Sequence, residues 1–146
     1  MWKIESSIEI DRSVEDVFAV LSNVENSAKW SSVFLEAEKT SEGPIGVGTT
    51  WRVVQKALGR RIEGEIEVTE YEPNRKCAQK SKSGPFPVEV LQTYEPVEGG
   101  TRVSVALEAD PGGFFKLAEP LVKTMVKRGI EADFANLKEM MEAHVL

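Results

Sequence analysis

One cysteine, Cys77, and one histidine, His144, are all that the 146 residues offer of these two side chains. That scarcity excludes a disulfide framework, a CxxC redox pair, a zinc finger, and nucleophile systems of the Cys/His or Ser/His/Asp kind. His144 stands two residues from the end of the chain and reads as a solvated last-turn residue rather than a general base. Long apolar runs are missing too: none reaches the length of a signal-peptide core or a membrane span, so stable membrane insertion is not expected and a cytoplasmic location is. Positive charge is in deficit, with 18 Lys and Arg against 24 Asp and Glu, a net charge of -6 and a pI near 5.0. A field of that sign repels phosphate backbones, so nucleic acid is not an expected partner. The local lysines Lys76, Lys80 and Lys82 alternate onto one outward strand face and read as solvated. The glycines of Gly43-Pro44-Ile45-Gly46-Val47-Gly48 lack the Gly-Lys-Ser/Thr ending of a phosphate loop and read as a turn. Nothing in the residues calls for a metal or a cofactor.

What is present is globular: 41% hydrophobic and 29% charged residues, in a length suited to a single domain over 1–146. Trp2, Ile4, Ile8 and Ile10 alternate with Lys3, Glu5, Ser7 and Glu9, which predicts a half-buried strand interrupted on its apolar face by Ser6. Ser13-Val14-Glu15-Asp16 is a capping-box-like helix start, and Val14, Val17, Phe18 and Leu21 follow at helical spacing. Asn23 can cap a second short helix over about 24–30, ending at Trp30. Val33, Leu35 and Ala37 share one strand face over 33–41. Five further strands are predicted at about 49–58, 61–71, 75–83, 86–96 and 101–109, joined by short turns that make neighbours antiparallel. After Pro111-Gly112-Gly113 the pattern becomes helical. Val122, Val126, Ile130, Phe134, Leu137 and Met141, with Leu117, Leu121 and Met125 as a second row, predict a broad apolar face. Pro120 separates a first turn near 114–118 from the main helix.

This order gives an α+β architecture: a curved seven-stranded antiparallel sheet, two short helices between strands 1 and 2, and a long C-terminal helix covering one sheet face. A helix does not fill such a sheet along its whole length, and the gap is a natural cavity. Alternation turns Trp51, Val53 and Gln55 inward, with Ile62, Gly64, Ile66 and Val68, then Cys77, Gln79 and Ser81, then Val88, Val90, Gln92 and Tyr94. Three glutamines on inner faces are unusual in a closed core, because an unpartnered buried amide costs about 1 to 3 kcal/mol. They either reach water at strand ends or line a cavity. Tyr71 falls out of step with Ile66 and Val68, which suggests a bulge or strand end near Thr69.

The same order, with Ser13-Val14-Glu15-Asp16-Val17-Phe18, Trp30, Val47-Gly48-Thr49, Glu70-Tyr71-Glu72-Pro73, Ser83-Gly84-Pro85-Phe86 and Gly99-Gly100-Thr101-Arg102-Val103, resembles the START-like (SRPBCC) superfamily and within it the polyketide cyclase/dehydrase family. The resemblance spans essentially the whole chain and implies a helix-grip fold with a deep cavity. That superfamily holds aromatase/cyclases, lipid carriers, hormone receptors and co-chaperone domains on one scaffold, so it implies a pocket and not a reaction. The expected ligand is a small hydrophobic or amphiphilic molecule, walled by Trp30, Trp51, Val53, Ile66, Val90, Tyr94 and Met125 and oriented by Gln55, Gln79, Gln92 and Ser81. A cyclase/dehydrase-type enzyme is the first alternative, with Glu70, Tyr71 and Tyr94 as acid–base candidates; no family catalytic signature is recognisable. A co-chaperone-like interaction domain is the second, although the Glu- and Lys-rich outer strand faces carry no large apolar patch. A monomer or weak homodimer is expected.

Overall fold

Alternation at the N-terminus builds β1 (Trp2–Ile10), with Trp2, Ile4 and Ile10 buried and Lys3, Glu5 and Glu9 exposed. A computed structural model of the chain describes residues 2–57, 59–113 and 119–146. Ser13 has extended backbone, and its Oγ accepts the Asp16 amide hydrogen at 3.2 Å; this starts α1 (Val14–Ser22), with Glu15 and Asp16 at the positive helix end. Removing that acceptor by Ser13→Ala should lower stability by about 1 kcal/mol in a urea melt. A loss below about 0.3 kcal/mol would show that the cap contributes nothing to the fold.

The second helix divides in two. Asn23 caps a 3-10 turn (Val24–Asn26) through the Glu25 amide hydrogen, and the chain then makes one α turn, α2 (Ser27–Trp30). Such tight turns are usual where the first N–H groups of a helix lack partners. The remaining strands are β2 (Phe34–Lys39), β3 (Thr50–Ala57), β4 (Arg60–Glu72), β5 (Lys76–Ser83), β6 (Val88–Val97) and β7 (Gly100–Ala109). They form one seven-stranded sheet in the order β1-β7-β6-β5-β4-β3-β2, antiparallel throughout. The short helices thus carry the chain from one edge strand to the other, and hairpins step it back until β7 meets β1.

Two bulges set side-chain directions that strict alternation does not. In β2 the register shifts between Phe34 and Glu36; Phe34 and Ala37 pack on the core while Leu35 is 43% exposed, so Leu35 does not share the face of Ala37 as its spacing suggests. In β4 the register shifts between Val68 and Glu70, at the expected Thr69. The extra residue returns Tyr71 to the inner face, edge-on to Phe18 at 5.3 Å between centroids, and turns Glu70 outward, where it pairs with Lys76 at 3.0 Å.

The long helix is α3 (Glu119–Glu142), with Pro120 in its first turn. The turn expected over 114–118, and Leu117 with it, lie outside the described residues. Val122 packs with Trp2 and Ile4 near the start of β1, while Phe134, Leu137 and Met141 join Val17, Phe18, Trp51 and Tyr94 in the main core. Leu121 and Met125 are 52% and 42% exposed, so the buried stripe is narrower than the apolar pattern. Each precedes an inward valine and is turned from it by about 100° round the helix.

The far end of α3 is tied to the turn after β1. Arg12 Nη1 donates to the carbonyls of Met141 at 2.6 Å and Leu146 at 3.0 Å, at the helix end where carbonyls lack partners and the dipole favours a cation. Asp11 N–H donates to Glu142 Oε2 at 2.9 Å beside it. His144 is exposed and left-handed (φ 56), closing the helix by bonds from its own N–H to Met141 O and from Val145 N–H to Met140 O. Among the described residues no helix is long and apolar enough to cross a membrane.

Candidate functional site: a cleft between sheet and last helix

α3 lies along β1, from Val122 beside Trp2 and Ile4 to Lys138, which donates to Glu9 O, and is held to the segment after α2 by Asp133 and Asn136, so the middle of the inner sheet face is left uncovered by direct contact. A cleft of about 310 Å³ occupies that space. Its floor is the inner faces of β3, β5, β6 and β7, from Gln55 through Gln79 and the row Val88, Val90 and Gln92 to Val105 and Leu107. Met125, Val126, Gly129, Ile130, Asp133 and Phe134 of α3 form the roof, and Leu21, Val24, Trp30, Val33 and Phe34 close one end. Exposed Lys56 and Met125 mark the rim.

Of the residues expected to face a ligand, the structure brings Trp30, Gln55, Gln79, Val90, Gln92 and Met125 together in this wall. Trp51, Val53, Ile66, Ser81 and Tyr94 are not in it. Trp51 and Val53 are buried in the main core and Ile66 packs against it, on stretches of β3 and β4 where the face is already covered. Ser81 Oγ accepts the Val88 amide hydrogen at 2.9 Å in the hairpin between β5 and β6. Tyr94 is buried between Phe18, at 5.0 Å between ring centroids, and Gln92, to whose Oε1 it donates at 2.8 Å.

Two wall residues escape a reading by strand alternation. Asp133 is a buried carboxylate on the apolar side of α3; its Oδ2 accepts from Ser31 Oγ at 2.7 Å and its Oδ1 from Ser32 N–H at 3.0 Å and Ser32 Oγ at 2.8 Å. With Asn136 Nδ2 donating to Trp30 O at 2.8 Å, it clamps the segment after α2 onto α3. Trp30 and Phe134 are thereby held with centroids 6.2 Å apart. Gly129 sits in mid-helix, and a Cβ built there meets no atom of the described residues within 4 Å beyond the helix's own backbone. Both left a signal in the sequence: an acid inside an apolar helical stripe, and a glycine where helix propensity disfavours one.

Buried polarity is uneven. Among the described residues, the indole N–H groups of Trp30 and Trp51 are buried without a hydrogen-bond partner. Cys77, beneath the floor, is a buried free thiol; burial pushes it from 9.0 up to about 11, with the Gln79 amide pulling weakly the other way. An acid raised in the fold keeps its proton after the unfolded chain has lost it, so stability should fall as pH rises from about 9 to about 11. Cys77→Val, which does not ionise, should show a smaller fall across that window in urea melts. Alkylation of Cys77 at neutral pH should be slow in the native protein and fast in urea; rapid native labelling would mean that β5 presents its other face inward.

The family model for "Polyketide cyclase / dehydrase and lipid transport" matches residues 1–142. Among curated proteins none matches the chain in sequence. Solved structures share the fold at low identity. TTHA0849 from Thermus thermophilus is 21% identical with a TM-score of 0.84, the match covering 98% of this chain and 99% of that one. A START superfamily protein from Mycobacterium smegmatis is 16% identical with a TM-score of 0.75, covering 98% and 96%. The di-domain ARO/CYC protein BexL of the BE-7585A biosynthetic pathway is 18% identical with a TM-score of 0.72, covering 97% of this chain and 48% of that one.

Proposed function

We propose, for a chain that belongs to the polyketide cyclase/dehydrase and lipid transport family, that the cleft between the sheet and α3 binds a small hydrophobic or amphiphilic molecule. Gly129 is the observation that carries this reading. Glycine in a helix interior costs about 1 kcal/mol against alanine, and among the described residues no neighbour within 4 Å requires its absence of a side chain. What it provides is room in the roof of an apolar cleft. The location of the acid–base candidates supports binding over a cyclase- or dehydrase-type reaction: Glu70 is outward and paired with Lys76, Tyr71 is half-buried against the core and outside the cleft wall, and Tyr94 lies behind Gln92.

The test uses one position and two substitutions. Gly129→Ala should raise stability by about 1 kcal/mol in urea melts and leave binding of an uncharged hydrophobic dye such as Nile red nearly unchanged. Gly129→Leu adds a branched side chain to the cleft and should weaken the dye about tenfold or more, with stability at or above that of the parent chain. Equal dye affinity in the parent and the Leu variant would show that the cleft is not where the molecule binds.

A further inference from the structure

Helix α3 carries a second stripe besides the buried one. Leu121, Met125, Arg128, Ala132, Ala135 and Glu139 are all exposed, and they follow one another at intervals of four, three, four, three and four residues. At about 100° per residue the six fall within about 80° round the helix, on the side away from Val122, Leu137 and Met141. Such spacing is the seven-residue repeat by which one helix packs along another. Leu121 and Met125 are large apolar side chains left in water, and the two alanines let a second backbone come close. Charge is divided along the same helix: residues 120–130 hold Lys123, Lys127 and Arg128 and no acid, whereas 131–142 hold four acids and one cation, Lys138. Lys138 and Glu142 pair with each other at 2.6 Å. The side chains of Arg128, Glu131 and Glu139 have no hydrogen-bond or ion-pair partner among the described residues.

We propose that this stripe is a contact for a second copy of the chain, the two α3 helices lying antiparallel about a two-fold axis at the level of Ile130. In that arrangement Met125 packs on the partner's Ala135, Leu121 covers the stem of the partner's Glu139, and Arg128 lies on the partner's Ala132 within reach of the partner's Glu131. The axis repeats the Arg128–Glu131 pair twice. Parallel pairing fails, since it stacks Arg128 on Arg128 and Glu139 on Glu139. The net charge of -6 repels a second copy at long range, but at physiological salt that repulsion is screened beyond about 8 Å, while opposite charges in contact still attract. One helix pair buries less than the roughly 1,600 Å² of a standard interface, so the dimer is weak and concentration-dependent. Met125 also stands on the rim of the cleft, so association brings the partner's helix to its mouth.

Sedimentation equilibrium of the full chain at about 0.15 M salt, over about 5 to about 500 µM, should show the average mass rise from the 16.2 kDa of one chain toward twice that value. Arg128→Glu and Glu131→Arg each set like charges against each other at the axis and should weaken association about tenfold or more. An equimolar mixture of the two variants has opposite charges in both pairs and should associate at least as tightly as the parent chain. The double variant Arg128→Glu/Glu131→Arg exchanges the pair and should return to within about threefold of the parent. Chains that merely fold poorly are not rescued in either way. In a Cys77→Val background, oxidation should cross-link a mixture of Met125→Cys and Ala135→Cys chains faster than either variant alone. None of these readouts depends on what the cleft binds. A mass that stays at one chain throughout that range, association unchanged in Arg128→Glu, single variants whose mixture does not associate, or fastest cross-linking of Met125→Cys with itself overturns the proposal. A monomeric parent that binds anionic phospholipid vesicles, where Arg128→Glu does not, overturns it in favour of a membrane surface.

Discussion

Gly100→Ala should lower stability by about 3 kcal/mol or more, although it adds a single methyl group. A Cβ at Gly100 would lie 2.1 Å from Ile10 O, 2.9 Å from Ile10 C and 3.0 Å from Asp11 Cα. All three are backbone atoms, so no rotamer change relieves the clash. Relief requires the end of β1 to move off β7, where Ile10 pairs with Thr101. The turn that follows is Asp11 and Arg12, whose bonds hold Glu142, Met141 and Leu146 at the end of α3. Displacement at one glycine is thus transmitted to the helix that roofs the cleft. Gly99→Ala is the control: Gly99 has φ 85 and open space around it, so it carries only the left-handed backbone cost of about 1 to 2 kcal/mol. Urea melts decide the matter, and a Gly100→Ala loss no larger than that of Gly99→Ala would mean that β1 does not approach β7 so closely.

Along α3 the cost of truncation should change with position. Leu137 and Met141 are fully buried, so Leu137→Ala or Met141→Ala removes packed atoms and leaves a new void, at about 2 to 5 kcal/mol each. Met125 is 42% exposed on the rim of the cleft and has fewer close neighbours to lose. Met125→Ala should cost under about 1.5 kcal/mol. The same change should alter the affinity of Nile red, since a flexible thioether is part of the adaptable rim, while Leu137→Ala, if still folded, should alter it little. Equal destabilisation at all three positions with dye binding unchanged would place the packed end of the helix and the open end in the wrong order.

How far the site was legible depended on what each residue's position rests upon. Gln55, Gln79 and Gln92 reach the wall because each lies in phase with apolar neighbours on its own strand, a relation visible within a few residues. Trp51, Val53, Ile66 and Tyr94 obey the same phase and yet stand in or against the core. Period two tells which face a side chain occupies, not how far along the strand the helix has come down upon it. Tyr71 shows the smaller version of this limit: its break in alternation was visible at Thr69, but only the pairing of β4 with β5 decided its direction.

Elements, caps and inner faces were therefore determined by the chain's local order, because strand alternation, the Ser13 and Asn23 caps and the helical stripe from Val122 to Met141 each depend on neighbours a few residues away. The cleft itself was decided by tertiary structure. Its roof is anchored by contacts that cross the whole chain: Asp133 with Ser31 and Ser32, Arg12 with Met141 and Leu146, Trp2 with Val122. The volume between two surfaces is a property of where both are anchored, and no periodicity in either one carries that distance.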